Sequence, residues 1–162
     1  MIESIHVEEQ TARSAAVVRG QARAEEIGPL VGQAYAEVAQ TLGAQGLGPT
    51  GPPFVRYARE SMDAGGQAEV FDLAAGFPSS GRAAPDGRVE PMELPAGPAV
   101  EALHVGAWSE LGEAYRAVAA WMTEHGLVAA DDPWETYLDG PEAAVHRTLL
   151  TCPCREAGTE RP

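Results

Sequence analysis

Residues 114–127 read AYRAVAAWMTEHGL, and residues 34–47 read AYAEVAQTLGAQGL. Six positions are identical when the two stretches are aligned 80 residues apart, as 34 with 114 and 35 with 115. In both, apolar residues follow the i, i+3, i+4, i+7 spacing of a helix that buries one face. Each predicted helix ends at a glycine, Gly46 or Gly126, and glycine is the usual residue of a left-handed helix cap. The pattern predicts two related amphipathic helices, over residues 26–46 and 108–126.

The offset of 80 residues continues on both sides of these helices. Further identical pairs are Gly32 and Gly112, Pro53 and Pro133, and Tyr57 and Tyr137. One offset kept through a helix, its cap and the next segment indicates an internal duplication. We therefore predict a single domain over residues 1–158. It would contain two repeats (about 4–75 and 88–155), a Gly- and Pro-rich linker (76–87) and a flexible tail (156–162).

Each repeat shows the same order of predicted elements. A strand (SAAVVRGQA or PAVEALHV) precedes the helix, a second strand lies in PPFVRYAR or DPWETYLDG, and a third lies in QAEVFDLAAG or AAVHRTLLTC. This β-α-β-β order, met twice, predicts an α+β fold with pseudo-twofold symmetry. We expect two antiparallel sheets, each covered by one helix, with a ligand cleft between the halves.

The charge balance argues against several classes of function. Eleven Lys+Arg residues face 24 Asp+Glu residues, for a formal net charge of -13. Because nucleic-acid affinity comes largely from basic residues on phosphates, we expect no direct binding of nucleic acid. The apolar runs are too short to span a membrane, and the polar start MIESIHVEEQ does not resemble a signal peptide. The sequence therefore predicts a cytoplasmic protein.

Two cysteines, Cys152 and Cys154, lie together near the end of the chain. Two thiols are too few for a tetrahedral zinc site, and the four histidines are spread over different elements. We expect reduced thiols at a strand end, no metal site and no cofactor.

Alternation along the strands points to a binding surface. Glu135 and Tyr137 face one side of their strand, and Val55 and Tyr57 take the equivalent positions of the first repeat. If the halves pack about a pseudo-twofold axis, both tyrosines line a shared cleft with a carboxylate on one side only. Such a cleft suits a flat, apolar and often cationic molecule. The alternation alone leaves equal room for Glu135 as a solvated strand residue.

The chain resembles the GyrI-like small-molecule-binding domain, which is also the effector-binding domain of multidrug-responsive transcription regulators. The likeness rests on GPPFVRYAR (51–59), LPAGPAVEALHVGAW (94–108), AYRAVAAWMTEHGL (114–127) and PWETYLDGP (133–141). It implies a tandem SHS2-like fold in a stand-alone member. It also implies that Glu135 is the acidic residue of the pocket, with Tyr137, Tyr57 and Trp108 around it.

Four other residues are weighed for the pocket. His104 ends a strand beside the expected cleft, and Phe71 lies on a last strand that faces either the core or the cleft. Phe77 falls in the predicted linker, where we expect it to close the cleft as a lid. Tyr115 fits the apolar stripe of its helix, and we expect it to pack in the core.

Three functions remain open at this stage. The first is binding of hydrophobic, aromatic, often cationic molecules, for sequestration or sensing. The second, implied by some members of the family, is hydrolysis of reactive cyclopropane-containing compounds, with Glu135 as general base on water beside Tyr137. The third is inhibition of DNA gyrase by protein contact. Whether the chain is an enzyme, and whether it forms a homodimer, stays open in the sequence.

Overall fold

The computed structural model describes residues 1–63 and 67–158. The strands are β1 (Ile2–Gln10), β2 (Arg13–Ala22), β3 (Phe54–Tyr57), β4 (Phe71–Pro78), β5 (Val89–Leu94), β6 (Gly97–Val105), β7 (Leu127–Ala129), β8 (Trp134–Tyr137) and β9 (Arg147–Glu156). The α-helices are α1 (Ile27–Ala44) and α2 (Leu111–Glu124), and short 3₁₀ helices span Ala24–Glu26, Arg59–Ser61 and Trp108–Glu110. The prediction of an α+β fold is confirmed.

Strands of both halves join in one antiparallel sheet. Its order is β1-β6-β9-β8-β3-β4-β2-β5, and β7 pairs with β9 outside this path. The order places equivalent strands at equal distances from the centre, where β3 pairs with β8 and Val55 lies opposite Glu135. The expectation of two separate sheets is therefore wrong. An unpaired edge leaves backbone donors and acceptors free, and pairing β3 with β8 removes one such edge from each half.

The two outer strands cross over between the halves. β1 precedes the first half but pairs with β6 of the second, and β5 precedes the second half but pairs with β2 of the first. β1 was not predicted as a strand, since the stretch MIESIHVEEQ was read only as a polar start. That error has a physical reason, because β1 is an edge strand whose residues are mostly exposed and polar, so the apolar signal of a strand is weak there.

Both helices cover the same face of the sheet. α1 buries Val38 and Leu42 in a cluster that includes Val55, and α2 buries Val118 in a cluster that includes Leu150. Val55 and Leu150 are both cross-strand partners of Glu135, and cross-strand partners share a face. The face away from the helices has its own cluster, which contains the matching aromatics Phe54 and Trp134, each 1% exposed.

The helix ends follow the predicted caps. Gly46 and Gly126 come just after α1 and α2, and their φ angles of 74° and 67° lie in the left-handed region. The two helices thus end in the same way, as the offset of 80 residues predicts. The origin of the halves by duplication stays a prediction, while their shared order of elements is a property of the fold.

Two boundaries differ from the prediction. β4 continues through Pro78, so residues 76–78 are strand and not linker. At Gly76 the strands β2 and β4 approach so closely that an added Cβ would lie 1.9 Å from the carbonyl oxygen of Ala16, and glycine in this place permits the pairing. The predicted tail begins inside β9, which ends at Glu156, and residues 159–162 lie outside the described part of the chain.

Among the described helices, none has the length and apolar character that crossing a membrane requires.

Candidate functional site

A cleft opens between α1 and α2 above the junction of β3 and β8. Its volume is about 610 Å³. Both halves contribute to its walls: the helices provide Val31, Tyr35, Leu111 and Tyr115, the strands provide Tyr57, Phe71, Glu135 and Tyr137, and the 3₁₀ helices provide Glu25 and Trp108. The cleft lies where the sequence analysis expected it.

All four tyrosines of the chain line this cleft. They form two pairs related by the offset of 80 residues: Tyr35 and Tyr115 from the helices, and Tyr57 and Tyr137 from the central strands. Phe71 packs edge-on against Tyr57 with ring centroids 5.5 Å apart. The repeat therefore builds an aromatic wall on each side of the cleft.

Glu135 breaks this symmetry because Val55 holds the equivalent position in the first half. Its residue exposure is only 4%, and its carboxyl group accepts two hydrogen bonds. Tyr137 donates to Oε1 at 2.6 Å, and Tyr115 donates to Oε2 at 2.7 Å. Burial raises the pKa of Glu135 above its ordinary value, and the two tyrosine hydrogen bonds oppose that rise.

No ion pair within residues 1–63 and 67–158 involves Glu135. Its two partners are neutral hydroxyl groups. A buried carboxylate without a positive partner is unfavourable, which is why its pKa shifts toward the protonated form. The site therefore combines a desolvated acid with free space beside it.

The tyrosine hydroxyl groups remain donors over the physiological pH range. Burial, and next the charge of Glu135, raise the pKa of Tyr57, Tyr115 and Tyr137 well above its ordinary value. Cys152 lies near the same carboxyl group, and burial raises the pKa of its thiol to about 12. A thiol with this pKa stays protonated at neutral pH, and a protonated thiol is a poor nucleophile.

Trp108 stands at the mouth of the cleft. Its indole is stacked on His146 with centroids 4.2 Å apart, and it meets Tyr137 edge-on at 6.0 Å. The residue is 40% exposed, unusually high for such a large apolar side chain. It offers apolar area to anything that enters.

Five of the predicted pocket residues come together in the cleft: Glu135, Tyr137, Tyr57, Trp108 and Phe71. Val55 does not line it, because its side chain is fully buried below α1 as part of the core. The prediction that Val55 lines the pocket is therefore wrong, because its side chain packs under α1.

His104 and Phe77 also lie outside the cleft lining. His104 is 1% exposed on β6, which β9 separates from β8, and its Nε2 is 3.9 Å from Glu110 Oε1. Burial lowers the pKa of His104. Phe77 lies in β4 and packs on Tyr35 with centroids 5.5 Å apart. The lid predicted at Phe77 is therefore wrong, since a paired strand residue that packs against the core cannot serve as one.

The two helix tyrosines, Tyr35 and Tyr115, were not predicted as pocket residues. Tyr115 was assigned to the core, but its hydroxyl reaches Glu135, and Tyr35 lines the opposite wall. A signal was present in the sequence, because Tyr35 and Tyr115 share one position of the repeat just as Tyr57 and Tyr137 do. Both residues belong to the apolar stripes of their helices. Helical spacing alone therefore could not show whether they pack in the core or line the cleft.

One group in the described chain has donor atoms close enough for a metal ion. His6, Glu8 and Glu101 lie on β1 and β6 with their donor atoms within 4.8 Å of one another. His6 Nε2 is 3.2 Å from Glu8 Oε1 and 3.7 Å from Glu101 Oε1, distances that an ion pair of a protonated histidine also explains. The group lies on the outer strands and is separate from the cleft.

A second groove, of about 530 Å³, has a different character. It is lined by Arg19, Arg56, Asp72, Asp131 and Asp132, among others. The guanidinium of Arg56 is paired with Asp131 at 3.1 Å and lies over the ring of Trp134. Acidic and basic side chains both line this groove, whereas the charged side chains among the described residues of the cleft lining are all acidic.

Comparison with known families gives one match. The model of the GyrI-like small molecule binding domain matches residues 3–152, which is most of the chain. No sequence among curated proteins matches significantly.

Solved structures with the same fold include a protein in complex with DNA and a protein named as a hydrolase. EcmrR in a complex with DNA superposes with a TM-score of 0.77 at 21% identity, over 95% of this chain and 58% of the EcmrR chain. A hydrolase from Listeria innocua gives 0.63 at 17%, over 94% of this chain and 92% of that one. SAV2435 bound to tetraphenylphosphonium gives 0.58 at 8%, over 94% of each. At these identities the likeness concerns the fold alone.

Proposed function

The chain belongs to the family of GyrI-like small-molecule-binding domains, and from that premise we propose that its cleft binds aromatic cations. Glu135 would supply the counter-charge and the tyrosines the contact area. The single observation that carries this proposal is a carboxyl group 4% exposed, held by two hydroxyl donors, with no ion pair in the described chain.

The electrostatics favour a positively charged ligand. Removal of water makes an isolated carboxylate costly, and a cation placed beside it recovers much of that cost. Since burial already raises the pKa of Glu135, a bound cation would shift the group back toward its ionised form. A neutral ligand of the same shape gains nothing from this exchange. Charge would therefore contribute directly to selectivity.

The walls favour an aromatic ligand with a spread positive charge. Tyrosine and tryptophan faces attract cations within about 6 Å of the ring centre. Four tyrosines and Trp108 surround the space next to Glu135. A volume of about 610 Å³ lies within the usual range for small-molecule sites. Flat apolar walls discriminate weakly, so we expect a range of ligands and not a single one.

A structure with the same fold supports the choice of ligand class. SAV2435 has been solved bound to tetraphenylphosphonium, a lipophilic aromatic cation. EcmrR carries the fold as its C-terminal domain within a DNA-bound regulator. For this chain both sequestration and sensing remain proposals, because the match spans only 58% of the EcmrR chain in that complex.

Calorimetric titration with tetraphenylphosphonium tests the proposal. Wild type should bind, and Glu135→Gln should bind at least about tenfold more weakly because the counter-charge is lost. Glu9→Gln is the matched control: it removes the same charge from β1, outside the cleft, and should leave affinity close to wild type. Equal affinities for wild type and Glu135→Gln would contradict the proposal.

A hydrolase is the second candidate, and the raised pKa of Glu135 favours it. A desolvated carboxyl group next to tyrosine donors can act as general base on a water molecule. Two structures of the same fold, both from Listeria innocua, are named as hydrolases. Incubation with a cyclopropane-containing electrophile, followed by mass spectrometry, separates the candidates. Turnover that disappears in Glu135→Gln would establish catalysis, and binding without turnover would leave the passive role.

Inhibition of DNA gyrase, a cytoplasmic location and a homodimer stay predictions from the sequence. A pull-down of purified gyrase with this chain tests the first, and sedimentation of the purified chain tests the last.

A further inference from the structure

The charged side chains among the described residues that line the cleft are all acidic. The lining contains two carboxyl groups, Glu25 and Glu135, and no arginine or histidine side chain among its described members. The two acids come from opposite halves and different elements: Glu25 from the 3₁₀ helix Ala24–Glu26 before α1, and Glu135 from β8. A concave site lined by one sign of charge concentrates ions of the opposite sign.

The two carboxyl groups occupy different depths. Glu135 is 4% exposed at the floor, whereas Glu25 is an exposed residue at the rim. Tyrosine and other apolar side chains line the space between the two halves. One carboxyl group thus lies at the floor of the cleft and the other at its rim.

Neighbouring acids do not share this position. Glu26 accepts a hydrogen bond from the backbone of Arg23 at 2.9 Å, and Glu110 lies beside His104. Neither lines the cleft. Ser109, the middle residue of the 3₁₀ helix before α2, also lines the cleft but carries no charge. Among the described residues, each half presents one carboxyl group to the cleft, and the two groups lie at different depths.

We propose that the cleft prefers elongated aromatic dications, with one positive group at Glu135 and the other at Glu25. This inference rests on the proposed function and adds to it a class of ligand and a residue that selects it. Glu135 provides binding for any aromatic cation, and Glu25 provides the additional affinity of the doubly charged ones. Because Glu25 is exposed, its contribution is screened by salt.

A competing explanation for Glu25 is purely structural. An acid just before a helix interacts favourably with the positive end of the helix dipole, and Glu25 lies two residues before α1. Such a role would show in the melting temperature of Glu25→Gln but not in the choice between ligands. The two explanations therefore differ in a measurable way.

The test uses bis(phenyldimethylammonium)alkanes of increasing linker length. Each is paired with a singly charged analogue in which one ammonium nitrogen is replaced by carbon, so that shape is conserved. At low salt, wild type should bind the best dication about threefold or more tightly than its analogue. In Glu25→Gln this ratio should fall close to one, and high salt should have the same effect on wild type.

Control variants separate the outcomes. Glu9→Gln removes one negative charge, as Glu25→Gln does, and should preserve the ratio of dication to monocation affinity. If Glu25→Gln preserves the ratio as well, or if no linker length favours the dication, the preference for dications is refuted while cation binding stands. If neither charged form binds, or if Glu135→Gln binds the monocation as well as wild type does, the proposed function itself fails.

Discussion

Tyr115 on α2 donates a hydrogen bond of 2.7 Å to Oε2 of Glu135 on β8. The bond joins the second helix to the floor of the cleft, and it comes from a residue that helical spacing alone assigns to the core. Together with the bond from Tyr137 it holds both carboxyl oxygens in a fixed orientation. The acid of the cleft is thus positioned by tyrosines that also form its walls.

Loss of the Tyr115 hydroxyl should weaken cation binding. In Tyr115→Phe the ring remains, but Glu135 loses one donor that opposes the rise of its pKa. We expect affinity for tetraphenylphosphonium to fall by roughly three- to tenfold, since hydrogen bonds to charged groups are among the stronger ones. Tyr35→Phe is the matched control, because the Tyr35 hydroxyl donates to the carbonyl of Phe54 at 3.4 Å. Equal losses in both variants would contradict the role of Tyr115.

Glu135 should make the fold less stable as pH rises. A carboxyl group whose pKa is raised on folding binds more protons in the folded chain than in the unfolded one. The stabilisation that comes from this proton binding is fully present below the unfolded pKa near 4.5. It is lost as pH rises from there through the folded pKa of Glu135. Glu135→Gln should therefore gain stability relative to wild type with increasing pH above about 4.5.

Thermal unfolding of wild type and Glu135→Gln over a pH series measures this difference. Titration of the other groups, including the carboxyl of Asp139 whose pKa the Arg147 hydrogen bond lowers, is common to both proteins and cancels. Parallel curves for the two proteins would show that the raised pKa of Glu135 is absent.

Thr148→Val should stabilise the fold. Thr148 is fully buried between the partners His104 and Tyr137 in the sheet, and its hydroxyl has no hydrogen-bond partner among the described residues. A buried hydroxyl without a partner costs about 1–3 kcal/mol, which a methyl group avoids. Chemical denaturation should show a gain of about 1 kcal/mol. Ser79→Ala provides the contrast, because the Ser79 hydroxyl donates to Gly81 at 2.8 Å and its loss should destabilise the fold.

Trp108 and Trp134, which lie on opposite sides of the sheet, should respond differently to truncation. Trp108→Ala removes a 40% exposed ring from the mouth of the cleft, so affinity for aromatic cations should drop with little change in stability. Trp134→Ala removes a ring that is 1% exposed on the opposite face and should cost about 3–5 kcal/mol in the free energy of unfolding. A stability loss for Trp108→Ala as large as that for Trp134→Ala would contradict the position of Trp108 at the mouth.

The repeat made most of the fold predictable. The offset of 80 residues identifies both helices, their glycine caps and the strands that carry Tyr57 and Tyr137, because each depends on local periodicity present twice. The joining of the halves was not predictable in the same way. Pairing of β3 with β8 connects residues far apart in sequence, and no local pattern encodes which edges meet.

The candidate site was predictable where chemistry and alternation agreed. Glu135 stands out because Val55 marks what the scaffold requires at that position. His104 and Phe77 were assigned by nearness to the expected cleft along the chain, and the sheet separates both from it. Tyr115 was missed because α2 bounds the cleft with the same apolar face that packs on the core. Helical spacing therefore does not tell a residue that lines the cleft from one that packs in the core.

The crystal structure of the chain with a bound aromatic cation tests the central claim most directly. We predict that the cation lies in the cleft against the Tyr57 and Tyr137 rings, with its charge beside the Glu135 carboxylate and within about 6 Å of a tyrosine ring centre. A cation bound only in the groove beside Arg56 and Asp131, with the cleft above Glu135 empty, would contradict it.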